Sequence, residues 1–158
     1  MSRIKAGLLH AAGRVRPDPY WTHVPTLVKH CLAHKPHTIV ECGTGYYSTP
    51  VLHAIAQQTG AKLLSMESNP RWLVQFTHMA TDYHSFQLVN DWQHEFPTGD
   101  LVFVDSGPVA SRRLLLSHIT APVILVHDAT VPAYDIGYRT GYERSVDGDT
   151  VVFTRHQP

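Results

Sequence analysis

The stretch Thr38–Pro50, with the sequence TIVECGTGYYSTP, constrains the fold of this 158-residue chain more than any other. Its first residues are β-branched and suit a strand, and its two glycines allow a sharp turn that leaves no side chain to block a ligand. We expect a helix to follow, with Thr49 as its N-cap, Pro50 at its first position and Gly60 at its end. The stretch predicts strand, turn and helix, with unpaired backbone N–H groups in the turn for a ligand.

Apolar runs that suit buried strands alternate with stretches of helical spacing along the rest of the chain. Strands are predicted at 38–40, 62–67, 86–89, 101–105 and 123–128, and helices at 25–34, 50–60, 70–79 and 110–119. Right-handed crossovers would lay these strands parallel, with helices on both faces. The tail predicts a hairpin instead, with strands at 142–146 and 150–155 around Asp147-Gly148-Asp149. We therefore expect an α/β three-layer sandwich whose mostly parallel sheet carries a C-terminal antiparallel hairpin.

Composition limits the classes of protein to which this chain can belong. Hydrophobic residues make up 43% of it, enough for one substantial core, so we expect one domain over 1–158 with an extended N-terminal arm over 1–20. The 13 basic and 13 acidic residues balance, which argues against a nucleic-acid partner. No stretch approaches transmembrane length, no signal peptide is apparent, and Cys31 and Cys42 lack disulfide spacing. We therefore expect a cytoplasmic protein that does not bind membranes.

The chain contains twelve histidines, a high number for its length. His30, His34 and His37 lie close to Cys31 in sequence and could be taken for a metal cluster, but a matching second pair of ligands is missing. We expect a solvated or capping role for these residues and no dedicated metal centre.

Polar residues follow the predicted strands at the point where each strand ends. The carboxyl ends of parallel strands meet at one edge of a sheet, where open α/β sheets bind their ligands. Asp91 has an alternative role as the cap of a turn. The residues expected at this edge are Glu41, Glu67, Asp91, Asp105, His127 and Asp128.

In these features the chain resembles the class I S-adenosylmethionine-dependent methyltransferases, whose Rossmann-like sheet ends in an antiparallel hairpin. The resemblance covers roughly 25–155 and rests on the motif ECGTG at 41–45, on Glu67, on Asp91 and on the run DLVFVDSGP at 100–108. The phrases VDSGP and VILVHD are also similar to those of macrocin-type small-molecule O-methyltransferases. S-adenosylmethionine is the cofactor that this resemblance implies.

The resemblance also implies roles for individual residues. Glu67 would accept the two ribose hydroxyls, and Asp91 would lie near the adenine amine. Asp105 would close the site beside the sulfonium. Tyr47 departs from the family pattern, which often has a small residue there. The other residues implied for cofactor binding are Gly43 and Gly45 at the methionine portion, with Glu41, Ser48, Ser68 and Trp92.

A nicotinamide-binding domain is the main competitor, since it also combines a glycine turn with an acid on the ribose. Glu41 argues against it, because a carboxylate directly before the glycines repels a pyrophosphate and attracts the amine of a methionine portion. Ser48 also stands where the third glycine of the nicotinamide motif would be. The sequence therefore favours S-adenosylmethionine.

We expect an enzyme that transfers a methyl group to an acceptor, at oxygen, with His127 as the general base and Asp128 or a neighbour stabilising the imidazolium. Two other roles stay open for this pair. Asp105 and Asp128 could bind Mg²⁺, which we do not favour, or Asp128 could merely cap the following turn. A protein that only binds or cleaves the cofactor is the alternative function.

The segment 129–141 is short and leaves little chain to cover a substrate. A large acceptor, a second subunit or the lack of any acceptor would each account for this. Tyr134, Tyr138 and Tyr142 suit a partly apolar interface, so we expect a homo-oligomer. The same tyrosines could instead pack on their own sheet.

Overall fold

A seven-stranded sheet forms the centre of the protein in a computed structural model that describes residues 19–131 and 137–156. Its strands are β1 (Thr38–Cys42), β2 (Lys62–Glu67), β3 (His84–Leu88), β4 (Leu101–Val104), β5 (Val123–Val126), β6 (Tyr142–Asp147) and β7 (Thr150–Arg155). The strand order is β3-β2-β1-β4-β5-β7-β6. The first five strands are parallel, whereas β7 runs antiparallel to both β5 and β6. The predicted sheet and its hairpin are therefore confirmed.

Helices cover both faces of this sheet, as predicted. They are α1 (Val24–His34), α2 (Ser48–Thr59), α3 (Pro70–Leu73) and α4 (Val109–His118), with 3-10 turns at Pro19–Trp21 and Thr77–Met79. On one face, Leu27 of α1 and Leu52 of α2 pack against Phe103. On the other face, Leu115 of α4 packs against Val104. Two apolar layers therefore flank the sheet, which gives the three-layer sandwich.

The start of α2 differs from the expectation. The helix begins at Ser48 with Tyr47 in the capping position, so the prediction of Thr49 as N-cap and Pro50 as first residue is wrong. Thr49 lies within the first turn of the helix and is fully buried. Its hydroxyl faces β1, where it donates to the Glu41 carboxylate.

The helix α3 is also shorter than predicted. Asn69 caps it as expected, its Oδ1 accepting the N–H groups of Arg71 and Trp72, but the helix ends at Leu73 rather than near 79. The turn that follows brings Phe76, which is 3% exposed, under the rings of Tyr46 and Trp72. Tertiary burial of this aromatic ring therefore overrides the helical spacing of the sequence.

The hairpin carries polar residues to the edge where β5 ends. Val126 pairs with Val151, so the turn between β6 and β7 lies beside the residues that follow β5. Asp147 in this hairpin accepts a hydrogen bond of 2.8 Å from Lys29 Nζ, and its carbonyl accepts one from the hydroxyl of Thr26. The contacts fasten α1 to the hairpin at the same edge.

Other predictions can be placed in this fold. Cys31 and Cys42 are buried free thiols, and the rings of His30 and His34 stack at 5.6 Å. No helix among the described residues is long and apolar enough to cross a membrane. Tyr138 is 90% exposed, whereas Tyr142 donates to the carbonyl of Ala121 in its own chain. Tyr134 and most of the N-terminal arm lie outside the described residues, and self-association stays a prediction.

Gly43 is the residue at which this fold leaves least room. Its φ is +96°, and a Cβ there would lie 2.6 Å from the carbonyl oxygen of Asp105. Gly60 ends α2 with a comparable φ of +74°, but a Cβ there would meet nothing within 4 Å. A side chain at either position would therefore strain the backbone, but only at Gly43 would it also clash with neighbouring atoms.

We expect Gly43→Ala to lower the free energy of unfolding by roughly 3 kcal/mol or more, because the backbones of β1 and β4 would have to separate. Gly60→Ala, the matched control, should cost only about 1 kcal/mol from strain. Urea denaturation of both variants and the parent measures the difference. Equal losses in the two variants would show that the Gly43–Asp105 approach does not constrain the fold.

Candidate active site

The glycine turn after β1 is held by neighbours on both sides. Gly43 N donates to the carbonyl of Met66 at 2.8 Å, Thr44 N donates to Glu67 Oε2 at 3.0 Å, and Gly45 N donates to Thr49 Oγ1 at 2.9 Å. The expectation of unpaired N–H groups is therefore wrong for these three residues, since β2 and α2 supply an acceptor for each. The N–H groups of these three residues hold the turn in place and are not open to a ligand.

Glu67 anchors this turn from the end of β2. Its Oε2 accepts the N–H and hydroxyl of Thr44, and its Oε1 accepts Asn69 N at 2.8 Å. The indole Nε1 of Trp72 donates to the Thr44 carbonyl at 2.6 Å and ties the turn to α3 as well. Glu67 lies at the strand end where the ribose is expected, and that role stays a prediction.

Glu41 does not lie at the sheet edge as expected but within β1, where its side chain is fully buried. Burial raises its pKa to about 7, although hydrogen bonds from the hydroxyls of Ser48, Ser65 and Thr49 oppose the rise. Thr49 donates to Glu41 and accepts the N–H of Gly45, so Glu41 stabilises the glycine turn through Thr49. Direct contact of Glu41 with a ligand amine stays a prediction.

A chain of buried hydrogen bonds continues from Glu41 across the sheet. Ser65 Oγ donates to Glu41 Oε2 at 2.6 Å and lies 3.0 Å from His84 Nε2. The Nδ1 atoms of His84 and His53 are 3.0 Å apart, and His53 Nε2 lies 2.9 Å from the hydroxyl of Tyr83. Burial and then the charge of His53 lower the pKa of His84 to about 4, so His84 takes part in these hydrogen bonds as a neutral imidazole.

A cavity of about 320 Å³ opens between the glycine turn and the ends of β4 and β5. This volume is within the range of small-molecule sites. Six residues predicted for the site line it, namely Gly45, Tyr47, Ser48, Asp105, His127 and Asp128. The sequence analysis did not single out the other six, which are Tyr20, His23, Thr44, Tyr46, Trp72 and Arg112.

His127 is 3% exposed and surrounded by carboxylates. Its Nδ1 lies 3.2 Å from Asp105 Oδ2, and its Nε2 lies 3.3 Å from Asp149 Oδ2 and 3.4 Å from Asp128 Oδ1. Burial alone would lower the pKa of His127, but Asp105, then Asp128 and Asp149, outweigh it and raise that pKa. The carboxylates stabilise the protonated imidazole, which is the form that a general base reaches when it accepts a proton, and the role of His127 as a base stays a prediction.

Arg112 joins the ends of β4 and β5. Its guanidinium donates to the carbonyl of Ser106 at 3.0 Å, to the carbonyl of His127 at 2.8 Å and to Asp105 Oδ1 at 2.7 Å. Its Nη1 lies 3.9 Å from Asp128 Oδ2. Positive charge therefore already lies beside both carboxylates that the sequence offered to Mg²⁺.

His23, just before α1, is another cavity residue that was not predicted from the sequence. It is 3% exposed, and its ring lies 4.4 Å from that of His127. Burial and then the charge of His127 lower the pKa of His23 to about 4. A histidine directly before an apolar helical stripe was the available signal, but its spatial partner was not visible in the sequence.

Six predicted cofactor ligands do not line the cavity. Glu41, Gly43 and Glu67 are described above, and the other three lie elsewhere. Ser68 is half-buried and donates to the carbonyl of Gly107 at 3.4 Å. The exposed carboxylate of Asp91 accepts Gln93 N at 2.8 Å, which is the turn-capping role left open for it. Trp92 is 6% exposed and packs in the core. Their contacts with a cofactor stay predictions.

No family model matches the sequence, and no curated protein matches it either. Solved structures match the fold. The first is a Podospora anserina methyltransferase with S-adenosylhomocysteine bound, at a TM-score of 0.63 and 16% identity over 84% of this chain and 77% of that one. The second is a methyltransferase from Geobacter sulfurreducens, at a TM-score of 0.60 and 10% identity over 99% of this chain and 91% of that one.

A putative O-methyltransferase from Klebsiella pneumoniae is a third similar structure, with a TM-score of 0.57 and 15% identity over 93% of this chain and 86% of that one. The chain therefore has the Rossmann-like fold of the class I methyltransferases, with the antiparallel hairpin that the sequence predicts. At these identities the likeness defines the fold, and it does not confirm the resemblance to the macrocin type.

We expect Glu41→Gln to change how stability depends on pH. The folded protein holds a proton on Glu41 up to a pKa of about 7, whereas the unfolded chain releases it near the ordinary 4.5. The free energy of unfolding of the parent should therefore fall as the pH rises through this window, by up to about 3 kcal/mol from this group. Glutamine has no such ionisation.

Urea denaturation of parent and variant at about pH 5 and about pH 8 measures this effect. The difference between their free energies of unfolding should shift in favour of the variant at the higher pH, and other titrating groups cancel in the difference. A difference that is the same at both values would mean that Glu41 ionises normally in the folded protein.

Proposed function

We propose that the protein is an S-adenosylmethionine-dependent methyltransferase that acts on a hydroxyl oxygen of a small acceptor. The observation that carries the proposal is one cavity, in a methyltransferase fold, that has the glycine turn on one side and Asp105, His127 and Asp128 on the other. A methyl donor and an acceptor need such adjoining walls, because catalysis of methyl transfer consists mainly of alignment.

The residues present fit this cofactor. Gly45 lines the cavity without a side chain, and Asp105 lines it with a carboxylate suited to a cation. Glu67, behind the glycine turn, would have to accept ribose hydroxyls in addition to its bonds with Thr44 and Asn69. Arg112 holds Asp105 Oδ1 and fixes the direction of that carboxylate. S-adenosylmethionine supplies the electrophilic methyl group, and the chain must bind it, orient it and exclude water.

The acceptor would lie at the end of the cavity formed by His127 and Asp128. As its oxygen attacks the methyl carbon, the C–S bond breaks with its electron pair going to sulfur, and the acceptor hydroxyl gives up a proton. Asp128 is the more accessible group of this pair, with 38% of its side chain exposed. We assign the proton to Asp128 and a positioning role to His127, whose two nitrogens face carboxylates.

The aromatic lining fits a small acceptor. Tyr20, Tyr46 and Trp72 line the cavity, and Tyr46 packs edge-on against Trp72 at 5.0 Å between ring centroids. Flat rings of this kind favour a planar or apolar body, whereas the acidic end favours its hydroxyl. The acceptor class is therefore a small hydroxyl compound with an apolar part.

Product analysis by mass spectrometry tests the function. The protein is incubated with S-adenosylmethionine and a panel of small phenols and alcohols, and we expect S-adenosylhomocysteine together with an acceptor heavier by one methylene. Methylthioadenosine as the product would indicate cofactor cleavage. Unchanged cofactor across the panel, with binding intact, would indicate a protein that only binds it.

Glu67→Ala is the variant for this assay. Losing two charge-assisted hydrogen bonds to a ribose should weaken cofactor binding by about 100-fold or more, since each bond contributes about 1.5–3 kcal/mol and 1.4 kcal/mol is tenfold. Calorimetry with S-adenosylhomocysteine and with NAD checks this, and a thermal melt confirms that the variant is folded. Parental affinity in the folded variant, or preferential binding of NAD, would contradict the assignment.

A further inference from the structure

The cavity wall contains buried imidazole nitrogens that have no hydrogen-bond partner. They are Nδ1 and Nε2 of His23, a residue that is 3% exposed. A buried polar atom without a partner costs about 1–3 kcal/mol, so a group of them on one wall calls for an explanation.

His23 lies beside a carboxylate and a second imidazole. One ligand atom from each of His23, Asp105 and His127 lies within 4.8 Å of the others. His127 Nδ1 is 3.2 Å from Asp105 Oδ2. Two ligands at about 2.1 Å from one ion in tetrahedral geometry are about 3.4 Å apart, which matches this separation.

We propose that His23, Asp105 and His127 form a binding site for a divalent first-row transition-metal ion such as Zn²⁺ or Fe²⁺. Two imidazoles and one carboxylate are the ligand set that such ions take, whereas Mg²⁺ prefers oxygen ligands. The site therefore differs in chemistry from a magnesium site at Asp105 and Asp128.

Groups behind the ligands hold them in place. His127 Nε2 faces Asp149 Oδ2 at 3.3 Å, which leaves Nδ1 for the ion. Arg112 Nη2 donates to Asp105 Oδ1 at 2.7 Å, which leaves Oδ2 on the same side. A carboxylate behind a ligating histidine is a frequent arrangement in metal sites, because it fixes the tautomer and the ring orientation. The backbone carbonyl of His23 accepts Leu27 N and begins α1.

Three protein ligands leave a position open on the ion. This position would face the cavity and bind the acceptor oxygen. Binding to the ion would make the acceptor hydroxyl easier to deprotonate, and its proton would go to Asp128. That catalytic role rests on the proposed function. The metal site itself does not, since its residues are argued from their own geometry.

Metal binding is measured on the full chain after stripping with a chelator. Zn²⁺ is titrated in competition with a chromophoric chelator, and Co²⁺ is followed by its visible absorption. We expect one tight equivalent of Zn²⁺ and a Co²⁺ spectrum typical of nitrogen and oxygen ligands. His23→Ala and Asp105→Asn should each weaken Zn²⁺ binding by at least about 100-fold, since loss of even a residue behind a ligand costs about 10- to 100-fold.

The stacked pair His30 and His34 provides the matched control, since two histidines one helical turn apart can also bind Zn²⁺ at a surface. The double variant His30→Ala, His34→Ala should keep the tight equivalent and the Co²⁺ spectrum. Loss of the tight equivalent in this double variant, or no tight equivalent in the parent, would overturn the proposal. If His23→Ala does not fold, the titration of the double variant still decides the question.

S-adenosylhomocysteine binding in the same preparations separates this proposal from the proposed function. Tight metal with no S-adenosylhomocysteine binding would refute the function and leave the metal site. S-adenosylhomocysteine binding with no tight metal would refute the metal site and leave the function.

Discussion

The buried carboxylate of Glu41 is the interaction on which the geometry of the site depends. It is fully buried and accepts hydrogen bonds from Thr49 and Ser65, and Thr49 in turn accepts the N–H of Gly45. One side chain therefore joins β1, β2 and the first turn of α2. Without such partners, a buried carboxylate would be too costly to retain.

The acidic residues within and just after the parallel strands have different partners, and this separates their roles. Glu41 is satisfied by hydroxyls inside the protein, and Glu67 by backbone N–H groups of the turn and of α3. Asp105 is paired with Arg112 and faces His127. The first two carboxylates therefore shape the wall of the cavity, and the third contributes charge to it.

The sheet, its direction and the hairpin could be predicted because they follow from local patterns. The local sequence predicts the structure of apolar runs such as 123–126 and of the turn at Asp147-Gly148-Asp149. The role of Thr49 could not be predicted, since its capping propensity lost to a buried contact with Glu41. Phe76 likewise ends the helical pattern of its segment through a distant aromatic contact with Tyr46.

The site was predictable in the glycine turn, which its motif marks, and at positions directly after a strand. Asp105, His127 and Asp128 were found in this way, and all three line the cavity. The positions of His23 and Asp149 at the site depend on how α1 and the hairpin pack at the end of β5. The position of Arg112 depends on its salt bridge from α4 to Asp105. The contacts of His23 and Asp149 join residues far apart in the chain, so no local pattern reveals them. Arg112 and Asp105 are seven positions apart, and their pairing depends on the turn between β4 and α4.

Backbone amide NMR during a titration with S-adenosylhomocysteine tests the central claim most directly, because it reports each residue of the wall separately. We expect the largest chemical-shift changes on 44–48, on the residues after Glu67 and on those after Asp105. Saturable changes confined to another face of the sheet, or no changes at all in a folded sample, would contradict it.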